Sequence, residues 1–231
     1  MRLIKLVICW LSLAFGTLAV AQTAPAPVPA ADPQNVLHLS LSTGGEVTIQ
    51  MRPDKAPLHI VRIKALARSG FYDGLLFHRV IEGFMAQTGD PKGTGEGGSP
   101  LPDLKAEFND LMHLRGAVSM ARTGDPNSAN SQFFIVFQPV MRLDGKYTVF
   151  GRVISGMQFV DPIERGEPPA NPSKIVKAWI ESDGLNAARV PLDLSAVTEA
   201  PAPVAAAVPA APPAAPAKPV KVKKKKTFGI F

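Results

Sequence analysis

The chain has 231 residues, 46% of them apolar and 19% charged, with 23 prolines, 19 glycines and one cysteine. That is enough for one domain of ordinary size and a good deal of chain outside it. The net charge of +6 would suit an acidic partner, but Arg2, Lys5 and the six lysines between Lys218 and Lys226 supply the excess, and residues 22–217 carry 17 basic against 19 acidic groups. Nucleic-acid binding by the body of the chain is therefore disfavoured.

Residues 1–21 combine Arg2 and Lys5, an apolar run from Leu6 to about Leu18, and the small-residue pattern Ala19-Val20-Ala21 ahead of Gln22. This is the arrangement of a cleaved secretory signal peptide; a membrane span would need about 20 apolar residues. The leader contains Cys9, the one cysteine, so the exported chain is expected to lack disulfides, thiol catalysis and Cys-ligated metal. A periplasmic location is the expectation for such an exported chain.

Glycine and proline are segregated. Residues 36–185 hold 17 of the 19 glycines, whereas 22–35 and 186–231 hold four and eight prolines. Residues 22–35 are expected to form an Ala/Pro-rich linker. The domain is expected over 36–185, an Ala/Pro-rich disordered segment over 186–217 and a Lys-rich tail over 218–231.

Within the domain, Leu37, Leu39 and Leu41 alternate with polar residues, Thr43-Gly44-Gly45 turns the chain, and Val47 and Ile49 share one face of the returning segment. These features predict a hairpin. Asp54–Ser69 changes to helical spacing, with Ile60, Ile63 and Ala67 on one stripe, Pro57 in the first turn and Gly70 as the stop. Apolar runs at 75–81 and 84–87 precede a Gly/Pro loop over 91–103. Further strands are expected at 117–121, 133–137, 147–154 and 175–181, with a short helix near 157–163 that Pro162 must disturb. Many short strands and two helices favour a closed antiparallel barrel or a sandwich over a βαβ fold.

Two segments carry more information. Residues 77–90 read FHRVIEGFMAQTGD and residues 119–135 read SMARTGDPNSANSQFFI, followed in order by LDGKYTVFG at 143–151. All three resemble signature segments of cyclophilin-type peptidyl-prolyl cis/trans isomerases. The resemblance covers the body and neither flank. It implies a mainly β fold, a closed eight-stranded antiparallel barrel capped by two helices, that accelerates Xaa-Pro rotation in unfolded or flexible exported polypeptides and needs no cofactor and no metal. By position it implies that Arg79 is the catalytic arginine. Phe84, Met85, Phe134 and Leu143 would line the proline pocket, and Gln87 would bond the substrate backbone. The chain at Ala121 and Arg122 would hold the residue before proline, with Gln132 bordering the site and Tyr147 contributing to it. Arg142 stands where many family members carry tryptophan, Tyr147 where histidine is frequent and Arg122 where asparagine is frequent, so cyclosporin-like ligands are expected to bind weakly.

The other conspicuous residues admit plainer readings. His78 suggests acid/base work but is better read as a hydrogen-bonded structural histidine. Gly93–Gly98 could cradle phosphate, yet Pro100 and Pro102 follow in place of Lys-Ser/Thr and a helix, so a tight loop is expected. Phe133 is expected in the core. The Lys-rich tail could give weak contact with an anionic envelope surface, and nothing in the sequence calls for an obligate partner, so a monomer is expected. The rival function is a proline-peptide binding or holdase module with little turnover, which would not need Arg79.

Overall fold

The computed structural model describes residues 31–194. The leader, most of the first Ala/Pro segment, residues 195–217 and the lysine tail lie outside them. Where the first linker is described, Pro33–Asn35 forms a 3-10 turn capped by Asp32, whose carboxylate accepts from Gln34 N at 3.0 Å.

The expected hairpin is β1 (Val36–Leu41) and β2 (Gly45–Met51), paired from Val36↔Gln50 to Leu41↔Gly45. Gly44 takes φ +99° in the turn, a conformation open to glycine at little steric cost. Helix α1 (Pro57–Ser69) follows, opened by Pro57 and ended by Gly70 at φ 78°, whose N–H meets the carbonyls of Ala67 and Leu66. Ile60, Ile63 and Ala67 face inward as expected, and so do His59 and Arg62. Ala56 offers the helix no side-chain cap. Glu107 supplies it from a distant loop, accepting from Leu58 N and His59 N at 3.1 Å each and meeting His59 Nδ1 at 2.6 Å. The Arg62 guanidinium, whose pKa burial lowers, donates to Pro102 O at 2.7 Å.

The remaining strands are β3 (Arg79–Ile81), β4 (Met85–Thr88), β5 (Ala117–Met120), β6 (Phe133–Val136), β7 (Val149–Ser155) and β8 (Ile175–Ile180), with the four-residue helix α2 (Met157–Val160) before β8. All eight strands form one antiparallel sheet in the order β3-β4-β6-β5-β7-β2-β1-β8. The closed barrel expected from the sequence is corrected here to a curled, open one. Its outer strands β3 and β8 share no ladder, and the seam is spanned by isolated bridges, Leu76↔Lys174 and Val80↔Gly166. The two expected helices are present, though α2 stops before Pro162. Gly45 fits over α2 because it has no side chain: a Cβ there would lie 2.3 Å from the Phe159 ring.

Strand alternation divides the interior in two. Val80, Ala86, Val118, Phe133 and Ile135 join Leu37, Val47, Ile63 and Phe150 in the main core, while Met85, Ala117, Phe134, Val136 and Val149 form a second cluster on the other face. Phe133 is fully buried, with its ring edge-on to Tyr72 at 5.5 Å and to Phe150 at 6.0 Å. Ile81, Phe84, Ala121, Leu143 and Tyr147 roof the second cluster while remaining partly exposed.

The packed chain continues past residue 185, where the domain was expected to end. Arg189 Nη1 donates to Ala67 O at 2.9 Å and Ala178 O at 3.0 Å, its Nη2 pairs with the Asp73 carboxylate, and Val190 N donates to Arg68 O at 3.0 Å. This clamp holds residues 186–192 against the C-terminal end of α1, where unpaired carbonyls need donors, and Leu192 packs on the main core.

Candidate active site

Sheet register assembles the site. Arg79 lies opposite Gln87, Gln87 opposite Phe134, and Phe134 opposite Ser119, so four strands present one row of side chains to the second cluster's face. A parallel row runs Ile81, Met85, Val136. Phe84 comes from the β3–β4 turn, which Gly83 makes at φ 67°, and Leu143 from a 3-10 turn at Met141–Leu143. Ala121 N donates to Gln132 O at 2.9 Å, extending the β5–β6 pairing beyond the strand ends.

These residues enclose a cup of about 110 Å³ lined by Phe84, Met85, Phe134, Leu143 and Tyr147 with Arg79, Gln87, Ala121 and Arg122 around them. Nine of the ten residues expected from the sequence thus meet in one cavity. The tenth, Gln132, lines a larger neighbouring cavity of about 430 Å³ that shares Gln87, Ala121 and Arg122 with the cup. Gln132 also acts on the cup indirectly. Its Oε1 accepts from Gln87 Nε2 at 2.8 Å while its own Nε2 donates to Gly95 O at 2.9 Å and Gly97 O at 2.8 Å. The Gln87 amide is thereby oriented with its carbonyl oxygen unengaged by this pair.

Arg79 is half-exposed and donates from Nε to Glu167 Oε2 at 2.7 Å. Holding the guanidinium by Nε leaves both terminal nitrogens without a protein partner among the described residues. Nothing in the sequence pointed to Glu167, 88 residues away in a Gly-Glu-Pro-Pro turn. Arg122 lies over the Tyr147 ring at 4.4 Å and spends its donors on the carbonyls of Thr123, Gly124 and Lys146.

A Ser–His–Asp constellation lies beneath the cup and also escaped sequence reasoning. His113 Nδ1 meets Asp144 Oδ1 at 2.8 Å, and His113 Nε2 meets Ser119 Oγ at 3.1 Å. It is not hydrolytic. Ser119 and His113 are fully buried and absent from the cup's lining, and the serine hydroxyl donates to Thr148 O at 3.0 Å, so Ser119 presents no nucleophile to the cavity. The His113 ring instead stacks beneath Phe134 at 6.1 Å and meets Tyr147 edge-on. Backbone and ring N–H groups of His113 lower the Asp144 pKa.

Gly93–Gly98 is a tight loop whose amides turn inward: Asp90 accepts from Lys92 N, Thr94 N and Gly95 N at 2.6–2.9 Å. Burial raises the Asp90 pKa, but the amide donors outweigh it and the carboxyl lies below its ordinary range. His78 is buried as expected, yet its ring nitrogens form no well-made hydrogen bond, a correction to the hydrogen-bonded reading. Burial lowers its pKa, and the nearby Asp90 charge only partly restores it. The unfolded chain therefore binds the proton more tightly, so His78 favours the fold above about pH 6.5 and this contribution is lost as pH falls below that value. The lowered carboxyls act only below about pH 4. Denaturant midpoints should fall between pH 7.5 and pH 5 in the parent, with a shallower slope in His78→Leu; equal slopes would exclude His78 as the source.

The comparisons with known proteins agree with this geometry. The family model for cyclophilin type peptidyl-prolyl cis-trans isomerase/CLD matches residues 37–180. A probable peptidyl-prolyl cis-trans isomerase of Brucella suis biovar 1 is 49% identical over 183 residues, covering 72% of this chain and 91% of that protein. Peptidyl-prolyl cis-trans isomerase B of Bacillus subtilis is 44% identical over 132 residues, covering 56% and 91%. Among solved structures, a cyclophilin from Hirschia baltica superposes with a TM-score of 0.62 at 30% identity, over 68% of this chain and 77% of that one. A cyclophilin-type isomerase of Cryptosporidium parvum, crystallised in the presence of the dipeptide ala-pro, gives 0.59 at 30% identity, over 63% and 98%. The chain belongs to the cyclophilin-type peptidyl-prolyl cis-trans isomerases. Its activity is rotation about Xaa-Pro bonds, which assists protein folding.

Proposed function

We propose that Arg79 and the cup beside it carry the reaction. The observation that supports this most directly is a guanidinium, anchored through Nε, at the rim of an apolar cavity. An Xaa-Pro bond is held planar by resonance, with a barrier to rotation of about 18–20 kcal/mol. As the bond twists, the prolyl nitrogen becomes pyramidal and basic. A terminal N–H of Arg79 then donates to a lone pair that scarcely exists in the planar ground state, so the contact lowers the barrier and does more than tighten binding. Phe84, Met85, Phe134, Leu143 and Tyr147 grip the ring. The Gln87 carboxamide and the backbone at Ala121 and Arg122 hold the flanking peptide, so that only one bond is free to turn. Gln132 fixes Gln87, and the buried His113 supports Phe134 from below. Every step uses positioning and hydrogen bonding. The Cryptosporidium neighbour's ala-pro dipeptide supports assigning a prolyl ligand to the cup.

The proposed setting is the exported space of a bacterium. Arg2, Lys5, the apolar run and Ala19-Val20-Ala21 support it, as do Brucella relatives that share 49% identity. Uncatalysed prolyl isomerisation takes about 10–100 s, so unfolded or flexible exported chains are the substrates proposed. The six lysines at 218–226 are proposed to give weak, salt-sensitive attachment to anionic envelope surfaces, each contributing about 1 kcal/mol near the surface. Sedimentation with envelope membranes should fall as salt rises and should be reduced by deleting 218–231. Equal sedimentation of the deleted chain would remove the attachment while leaving the catalytic reading intact.

A further inference from the structure

We propose that Arg142 gives the site a preference for an acidic side chain directly after proline. The inference rests on the reading of the cup as the proline site and names its substrate class more closely.

Arg142 sits in the 3-10 turn beside Leu143, a wall of the cup, and its guanidinium carbon lies 4.9 Å from the centroid of Phe84, another wall. It is exposed, and it is the one arginine among the described residues that donates no hydrogen bond and joins no ion pair. Arg79 is held by Glu167, Arg122 by three carbonyls and Arg165 by Glu82. A guanidinium laid on a phenyl face keeps its edge N–H groups directed outward in a planar fork that matches a carboxylate. Four residues on, Lys146 is exposed and its ammonium is unpaired among the described residues. The acids nearest along the chain and across the turn are engaged: Asp144 turns inward to His113, and Glu82 is taken by Arg165.

Charge is distributed unequally along the groove. The larger cavity, joined to the cup through Gln87, Ala121 and Arg122, carries Glu96 and Asp103. The Phe84–Leu143 lip carries Arg142. A peptide whose residue before proline rests at Ala121 and Arg122 therefore sends its upstream part toward the acidic flank and its downstream part across the basic lip. A carboxylate just after proline meets a free guanidinium there, and a lysine meets like charge.

The test measures isomerisation directly by NMR exchange on end-blocked Ala-Ala-Pro-Glu, Ala-Ala-Pro-Ala and Ala-Ala-Pro-Lys peptides at low ionic strength. The parent should turn over the Glu peptide with kcat/KM about three- to tenfold above the Lys peptide, the range expected for a solvent-exposed ion pair replaced by a repulsive one. The ratio should shrink toward one in Arg142→Gln and in added salt, and Arg142→Lys should retain part of it. Equal rates for the Glu and Lys peptides in the parent, or a preference unchanged in Arg142→Gln, would overturn the proposal. Absence of catalysed exchange on the Ala peptide would instead overturn the reading of the cup, and this proposal with it.

Discussion

Replacing Arg79 by alanine is expected to lower kcat/KM for a proline-containing peptide by about ten- to a hundredfold. A charge-assisted hydrogen bond is worth about 1.5–3 kcal/mol, and about 1.4 kcal/mol corresponds to a factor of ten. The loss should appear in kcat and kcat/KM alike, because the proposed bond from Arg79 would strengthen only as the prolyl nitrogen pyramidalises. Folding should be little affected, since the Arg79–Glu167 pair is half-exposed and such pairs contribute about 0–1 kcal/mol. The thermal midpoint should therefore stay close to that of the parent. Arg79→Lys should recover part of the rate by restoring charge without the planar fork. A protease-coupled or NMR assay that found Arg79→Ala fully active would assign the acceleration to the cup alone.

Phe133→Ala is expected to have the largest effect on stability. The ring is fully buried between Tyr72 and Phe150 on the main-core face of β6. Truncating a packed phenylalanine typically costs about 3–5 kcal/mol through lost transfer energy and the cavity left behind. For a domain of this size that is a midpoint lowered by about 6–20 °C. The side chain faces away from the cup, so the folded fraction should retain kcat. A change of less than about 1 kcal/mol in the denaturant-extrapolated stability would mean that the neighbouring rings collapse into the space.

The contrast between Phe133 and Phe134 shows what the sequence could convey. Hairpin β1–β2 and helix α1 were legible because each buries one face, so apolar residues recur at intervals of two or of three and four. Strand β6 buries both faces, and its run of apolar residues hides the alternation that sends Phe133 to the core and Phe134 to the cup; the family motif separated them. The cup residues were identifiable because three motifs carry them. Glu167 and His113 were not, for their roles depend on contacts 88 residues away in one case and on a buried stack in the other. The end of the packed chain was misplaced because Arg189 docks by donating to backbone carbonyls of Ala67 and Ala178, a bond that leaves no apolar period. The open seam between β3 and β8 was equally invisible, because strand count alone does not determine whether the outermost pair forms a ladder.

The row Arg79–Gln87–Phe134–Ser119 has a consequence for what counts as a finished molecule. Were β4 to pair with β6 one residue out of step, most of the inter-strand bonds could still form. Gln87 would turn inward, and Ala86 or Thr88 would take its place at the rim. The slipped sheet would be nearly as well bonded and catalytically blank. Turnover therefore reports that these strands have found their proper partners, a demand on the enzyme of the same kind as the one it helps its substrates to meet.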